Sequence, residues 1–213
     1  MQQPADLETV RASYDRAADA YVETGMGDLS GEPWLRAALA AFAEDVHGLG
    51  PVLDVGCGPG HVTAHLTGLG LDVRGVDLSP RMVAHARRLY PDLTFDVASA
   101  TALDLAPASL GGVLGWWSLF HLPREVLPAV LAAFATALVP GGSALIGTHA
   151  GSGERVRTEV YGAPVRWTSR YWQPDELAAL LVAAGLEVVA DLRLPPPAPD
   201  LRPGVVLAAR RPA

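Results

Sequence analysis

Apolar positions recur in two rhythms along this chain, and the rhythm changes near residue 50. Before it, Leu35, Leu39, Phe42, Val46 and Leu49 stand three and four apart, which puts them in one stripe on a helix. Gly48 and Gly50 end that helix, and Pro51 cannot continue it. Upstream, Tyr14 and Tyr21 are seven apart and share a helix face. Residues 1–50 therefore read as a helical N-terminal lid, with Trp34 packed inside it.

From residue 51 short apolar runs alternate with amphipathic stretches. Strands are predicted at 52–55, 71–76, 93–97, 111–116 and 143–148, with helices at 59–69, 80–89, 128–138 and 174–184. Strands alternating with helices imply right-handed βαβ units and a parallel sheet covered on both faces. Two further strands, 186–194 and 204–209, are joined by a proline-rich stretch with no room for a helical crossover. That pair is expected to run antiparallel. Residues 150–173 read as a long loop.

Composition narrows the function classes. Of 213 residues 50% are apolar and 18% charged, enough core material for a single domain over 1–213, divided into the lid and a core at 51–213. The net charge of −7 argues against nucleic acid as partner, because phosphate neutralisation needs clustered cations. Arg87-Arg88 and Arg210-Arg211 are isolated pairs. The one cysteine, Cys57, has no disulfide partner within the chain, and no Cys/His spacing marks a zinc site. The start of the chain does not resemble a signal peptide, and the longest apolar stretch, 126–139, is broken by Pro128. A cytoplasmic location without membrane association is the expectation.

The strongest local signal is Asp54-Val55-Gly56-Cys57-Gly58-Pro59-Gly60-His61. A strand running through spaced glycines into a helix lets backbone approach a ligand at the carboxyl edge of a sheet. A dinucleotide fingerprint needs a third glycine where His61 stands, which disfavours a nicotinamide-dependent oxidoreductase. Asp77, at the end of the next strand, can accept both hydroxyls of a ribose, so a nucleoside-bearing ligand is implied.

Together with Gly75-Val76-Asp77-Leu78-Ser79-Pro80-Arg81-Met82, this loop resembles the first two motifs of class I S-adenosylmethionine-dependent methyltransferases. The resemblance covers about residues 50–150 by motif and the rest by element order. It implies a doubly wound, Rossmann-like α/β fold with a seven-stranded, mostly parallel sheet whose last strand is antiparallel. It also implies S-adenosylmethionine as cofactor and methyl transfer to a small organic acceptor at oxygen, nitrogen or carbon. By the resemblance Gly56, Gly58 and Gly60 lie under the methionine half, ordered by Asp54, while Asp77 takes the ribose hydroxyls. Leu78 and Met82 would sandwich the adenine, Trp116 and Trp117 approach the cofactor, and Tyr14 closes over it. Ser99, followed by Ala100, departs from the pattern, since relatives often carry an acid there to receive the adenine amino group. Either recognition there is weaker, or Asp96 or Asp104 substitutes. A cofactor-binding cyclase or regulatory module on the same fold is the competing reading.

Methyl transfer needs alignment first and a base only where the acceptor must lose a proton early. His121 and His149 follow strands four and five at the ligand-binding edge and are the candidate bases. The alternatives are a structural His121 and a solvated His149. His47 and His85 are expected on the surface, and His61 to pack or cap. Tyr161, Trp167 and Tyr171 form an aromatic group suited to walling a flat acceptor, or to packing a loop on the sheet.

Overall fold

The computed structural model describes residues 5–25, 29–198 and 201–213. At its centre is β1 (Val52–Val55), buried at all four positions. It pairs in parallel with β2 (Val73–Asp77) on one side and β4 (Leu110–Trp116) on the other. β3 (Thr94–Val97) extends the sheet beyond β2, and β5 (Leu138–His149) beyond β4. β9 (Gly204–Arg210) runs antiparallel to both β5 and β8 (Glu187–Leu194), so the seven-stranded order is β3-β2-β1-β4-β5-β9-β8. Strand order reverses at β1, which opens a crevice at the carboxyl ends of β1 and β4.

Strand periodicity sorts the core into two layers. In β4 and β5, Val113 and Ile146 pack with Leu131 and Phe134 of α5 (Leu127–Ala137) and Leu177 of α6 (Pro174–Ala183). Their neighbours Leu114 and Leu145 point the other way, onto α2 (Pro33–Val46) and α3 (His61–Gly68). Leu39, Phe42 and Val46 bury the α2 stripe, and Gly112 makes room for it, since a Cβ there would lie 2.7 Å from the Phe42 ring. The stripe is narrower than expected. Leu49 is 37% exposed beyond the helix end, and Trp34, expected to pack, is 67% exposed because it sits on the outward side of the first turn. Much of the presumed lid is therefore a layer of the core. The part that overhangs the crevice is α1 (Ala5–Ala20) with the short helical turns Tyr21–Gly25 and Leu29–Gly31.

Residues 150–173 are not the loop the sequence implied. They contain a hairpin, β6 (Glu154–Val160) and β7 (Ala163–Arg170), forming a separate two-stranded sheet. Its two-residue turn, Tyr161-Gly162, has φ of 54° and 70°, the left-handed pair a tight hairpin requires. Alternation is clean only in β7, where Val165, Trp167 and Ser169 are buried. No position of β6 is buried, and tyrosine stands where asparagine or glycine is the usual signal.

The hairpin holds α1. The Ser13 hydroxyl accepts from the Arg166 N–H at 2.9 Å, and Tyr14 stacks on Trp167 with centroids 4.6 Å apart. Arg170 reaches Asp6 at 2.9 Å. On its other side α1 meets α4 (Pro80–Leu89), where Asp15 accepts from the Ser79 hydroxyl at 2.6 Å and Asp19 from Arg81 and His85. Among the described residues no helix is long and apolar enough to cross a membrane.

Phe95 of β3 supports the glycine loop from below. A Cβ on Gly60 would lie 2.6 Å from the Phe95 ring, and one on Gly75 2.6 Å from it and 2.8 Å from the Cys57 sulfur. Gly75→Ala is expected to cost about 1–3 kcal/mol through overpacking. In urea denaturation its cost should shrink in a Phe95→Leu background, where the ring atoms it strikes are gone; equal costs in both backgrounds would show that Phe95 is not the constraint.

Candidate functional site

A cavity of about 330 Å³ fills the crevice, floored by the glycine loop and roofed by α1. The loop is built by a backbone that glycine alone permits: Gly56, Gly58 and Gly60 have φ of 78°, 54° and 86°. Gly56 also admits Ser118, to whose Cβ an added side chain would come within 2.2 Å. A Cβ added to Gly58 would meet nothing within 4 Å among the described residues, so a ligand can lie against the Cα side of its backbone. Gly60 faces the core and caps α3, so its part is to shape the loop.

Two carboxyls stand beside this loop. Asp54 is fully buried; its Oδ2 accepts from the Thr63 hydroxyl at 2.7 Å, while its Oδ1 has no partner. Burial pushes its pKa up to about 7, against the pull of the Thr63 bond. Asp77 accepts from the Gly58 N–H at 2.9 Å and the Ser79 N–H at 2.8 Å, one bond to each oxygen. Each oxygen keeps a second lone pair for a hydroxyl donor. Burial raises its pKa as well, and backbone donors, those of Ser79 and Gly58 foremost, oppose that rise.

Leu78, Met82, Ser99 and Ala100 line the cavity beyond Asp77. The Ser99 hydroxyl is turned to its own backbone, accepting from the Thr101 N–H at 3.3 Å. Neither suggested substitute serves: Asp96 pairs with Arg74 at 2.9 Å on the sheet edge, and Asp104 is exposed and does not line the cavity. Trp116 and Trp117 line the opposite wall. Trp117 has a φ of 47°, a strained value for a bulky residue, held where its ring covers Gly147 and Gly204.

Tyr14 and His121 both reach the cavity, joined at 2.9 Å between the tyrosine hydroxyl and Nε2. The other ring nitrogen, Nδ1, lies 3.3 Å from the Thr168 carbonyl, which can only accept, so Nδ1 carries the hydrogen and Tyr14 donates to Nε2. Burial depresses the His121 pKa to about 3, leaving a neutral, fully engaged imidazole. His149 does not line the cavity. It lies among the rings of Trp117, Phe120 and Tyr171. The expected acceptor wall is also displaced outward: Trp167 backs Tyr14, Tyr161 rests on Tyr21 with centroids 5.0 Å apart, and Tyr171 lies under the Arg202 guanidinium. None of the three lines the cavity.

In their place the lid supplies Leu7, Val10, Tyr21, Leu29, Glu32 and Leu35. Of these only Tyr21 was signalled, by its spacing from Tyr14. His61 was read as packing, yet it lines the cavity with its Nδ1 buried and unpartnered. The Cys57 thiol, buried and pushed well up in pKa, is a filler beneath the loop. No group of three or more His, Cys, Asp or Glu among the described residues is placed to hold a metal.

The groups present fit a nucleoside carrying cationic centres. Asp77 offers lone pairs to ribose hydroxyls, Asp54 holds an unpartnered oxygen, and the bare backbone at Gly58 permits close approach.

Two of the buried titrating groups, His121 and Asp54, bear on stability with opposite signs. His121 stays neutral when folded, so the unfolded chain takes up its proton first. Its contribution, complete above about 6.5, is lost as the pH falls toward 3. Asp54 stays protonated up to about 7 when folded, so the fold gains stability as the pH falls from there toward 3.8. Asp54→Asn removes that gain. Urea midpoints between pH 7.5 and 5 should therefore fall more steeply in the variant than in the parent.

Comparison with known proteins agrees with this geometry. The family described as "Methyltransferase domain" matches residues 52–142, from β1 through the start of β5. N-demethylindolmycin N-methyltransferase of Streptomyces griseus is 28% identical over 200 residues, covering 81% of this chain and 84% of that protein. Ubiquinone biosynthesis O-methyltransferase of Cereibacter sphaeroides is 34% identical over 152 residues, covering 65% of this chain; the match spans only 60% of that relative's length. Among solved structures, Burkholderia thailandensis 1,6-didemethyltoxoflavin-N1-methyltransferase, with bound 1,6-didemethyltoxoflavin and S-adenosylhomocysteine, superposes with a TM-score of 0.72 at 26% identity. That match covers 100% of this chain and 93% of the other. Sheet order, glycine loop, paired aspartates and relatives agree: the chain belongs to the class I S-adenosylmethionine-dependent methyltransferases.

Proposed function

We propose that this protein transfers a methyl group from S-adenosylmethionine to a small, flat organic acceptor. The observation that carries the reading is the two-sided cavity: aspartates and bare backbone on one side, Tyr14, Tyr21, Leu35, Trp116 and Trp117 on the other. When bound, the cofactor supplies an electrophilic methyl on a sulfonium. Asp77 binds the ribose hydroxyls, Leu78 and Met82 bracket the adenine, and Asp54 faces positive charge. The lid residues Leu7, Val10, Tyr14, Tyr21, Leu29 and Glu32 act with the core as one unit, a reading supported by their shared lining of the cavity.

The chain works by orientation and water exclusion rather than by a strong protein base. His121 is a positioning residue for Tyr14, because both its nitrogens are engaged and its basicity is low. His149 holds Trp117 from behind instead of meeting the acceptor. Tyr161, Trp167 and Tyr171 form the second layer that fixes the wall. The apolar lining suits acceptors such as those named for the Streptomyces and Burkholderia relatives.

Calorimetric titration with S-adenosylmethionine, S-adenosylhomocysteine and NAD tests the cofactor. Both sulfur nucleosides should bind, NAD should not, and Asp77→Ala should weaken binding by about tenfold or more, the loss of hydrogen bonds to a buried charged group. Release of S-adenosylhomocysteine with heteroaromatic acceptors then tests transfer. Binding without release across such a panel would favour a cofactor-binding cyclase or regulatory module.

A further inference from the structure

The cavity is short of groups that can meet a negative charge. Among the described residues lining it there is no arginine, and the chain contains no lysine at all. Three of its lining side chains are carboxylic acids, Glu32, Asp54 and Asp77. The amino-acid end of the cofactor nevertheless carries a carboxylate. The basic side chains on the lining are His61 and His121, and His121 has both nitrogens committed to Tyr14 and Thr168.

His61 has the opposite character. It is the first residue of α3, directly after the glycine loop, and its Nδ1 is buried with no hydrogen-bond partner among the described residues. A buried polar nitrogen left unpaired is costly, and such atoms in folded proteins usually find a partner. The backbone N–H groups of the first turn of α3 precede any intrahelical acceptor and face the same end of the cavity. The groups for ribose and adenine, Asp77, Leu78, Met82 and Ser99, belong to β2, α4 and the turn after β3, on the other side of the loop. Burial, with His65 one turn along the helix, keeps the imidazole neutral. It therefore acts as a hydrogen-bond donor rather than an ion-pair partner.

We infer that His61 receives the carboxylate of the cofactor's amino-acid end, donating an imidazole N–H where other chemistry would use an arginine or lysine. The inference rests on the cofactor assignment above. It makes His61 a binding residue for a carboxylate-bearing thioether nucleoside and leaves no free cation for a second anion in the cavity.

The test compares two ligands by calorimetry on the full chain: S-adenosylhomocysteine and its decarboxylated analogue, which differ only in the carboxylate. The parent should prefer the carboxylated ligand by about tenfold or more, the size expected of one hydrogen bond to a charged group. His61→Phe should erase the preference while changing affinity for the analogue less than about twofold, on the same bookkeeping. His61→Gln, which keeps an N–H donor, should retain most of it. A preference that survives His61→Phe would overturn the assignment and move the carboxylate to another donor, such as the Tyr21 hydroxyl. Equal weakening of both ligands by His61→Phe, with the thermal melt unchanged, would overturn it too, as the mark of a role in shaping the loop. If neither ligand binds the parent, the cofactor assignment itself fails, a result distinct from either.

Discussion

The glycine loop must leave β1 and turn beneath a ligand within a space that admits almost no side chains. The Val76 carbonyl accepts from both the Gly56 N–H, at 2.7 Å, and the Cys57 N–H, at 3.0 Å, which ties the loop to the next strand as it departs. Ser118 presses from the β4 side and Phe95 from below, each occupying the volume a Cβ would need. The position of both carboxyls follows from this packing. Asp54 is carried inward on the last turns of β1, and Asp77 is fixed by N–H groups from the loop and from Ser79. Their raised pKa values record the cost of that burial.

Above the loop, α1 is fastened along two edges by different chemistry. Toward the hairpin the contacts are a stacked tyrosine and tryptophan, a serine bonded to strand backbone, and a half-buried arginine. Toward α4 they are Asp19 with Arg81 and His85, ion pairs of the kind that contribute little individually, and Asp15 accepting from the buried Ser79 hydroxyl. On the hairpin side the pair formed by Tyr14 and His121 carries the contact on to the cavity wall.

The sheet and the residues gathered around the glycine loop were legible because they follow short local rules. β1 and α4 begin and end where the apolar runs, Ser79 and Pro80 place them, and Asp54, Gly56, Gly58 and Asp77 are tied to one turn and one strand end. The hairpin was not legible, because β6 is mostly charged and buries no residue, and the turn uses tyrosine in a left-handed conformation. The place of the aromatic group was not legible for a related reason. Aromatic content marks Trp167 and Tyr171 as notable but does not say which layer they occupy, and that is decided by the docking of α1 onto β7. His61 was hidden by its neighbours, since a residue that begins a helix is ordinarily read for capping.

The hairpin enters between β5 and α6 without contributing a strand to the seven-stranded sheet. The match to the methyltransferase family ends at residue 142, before the hairpin begins, and starts after the lid. Two stretches far apart in the chain thus meet each other over the glycine loop, outside the part that matches the family. Because α1 lines the cavity and the hairpin holds α1, a change in β7 reaches the cavity wall without touching it, through Ser13 and Tyr14.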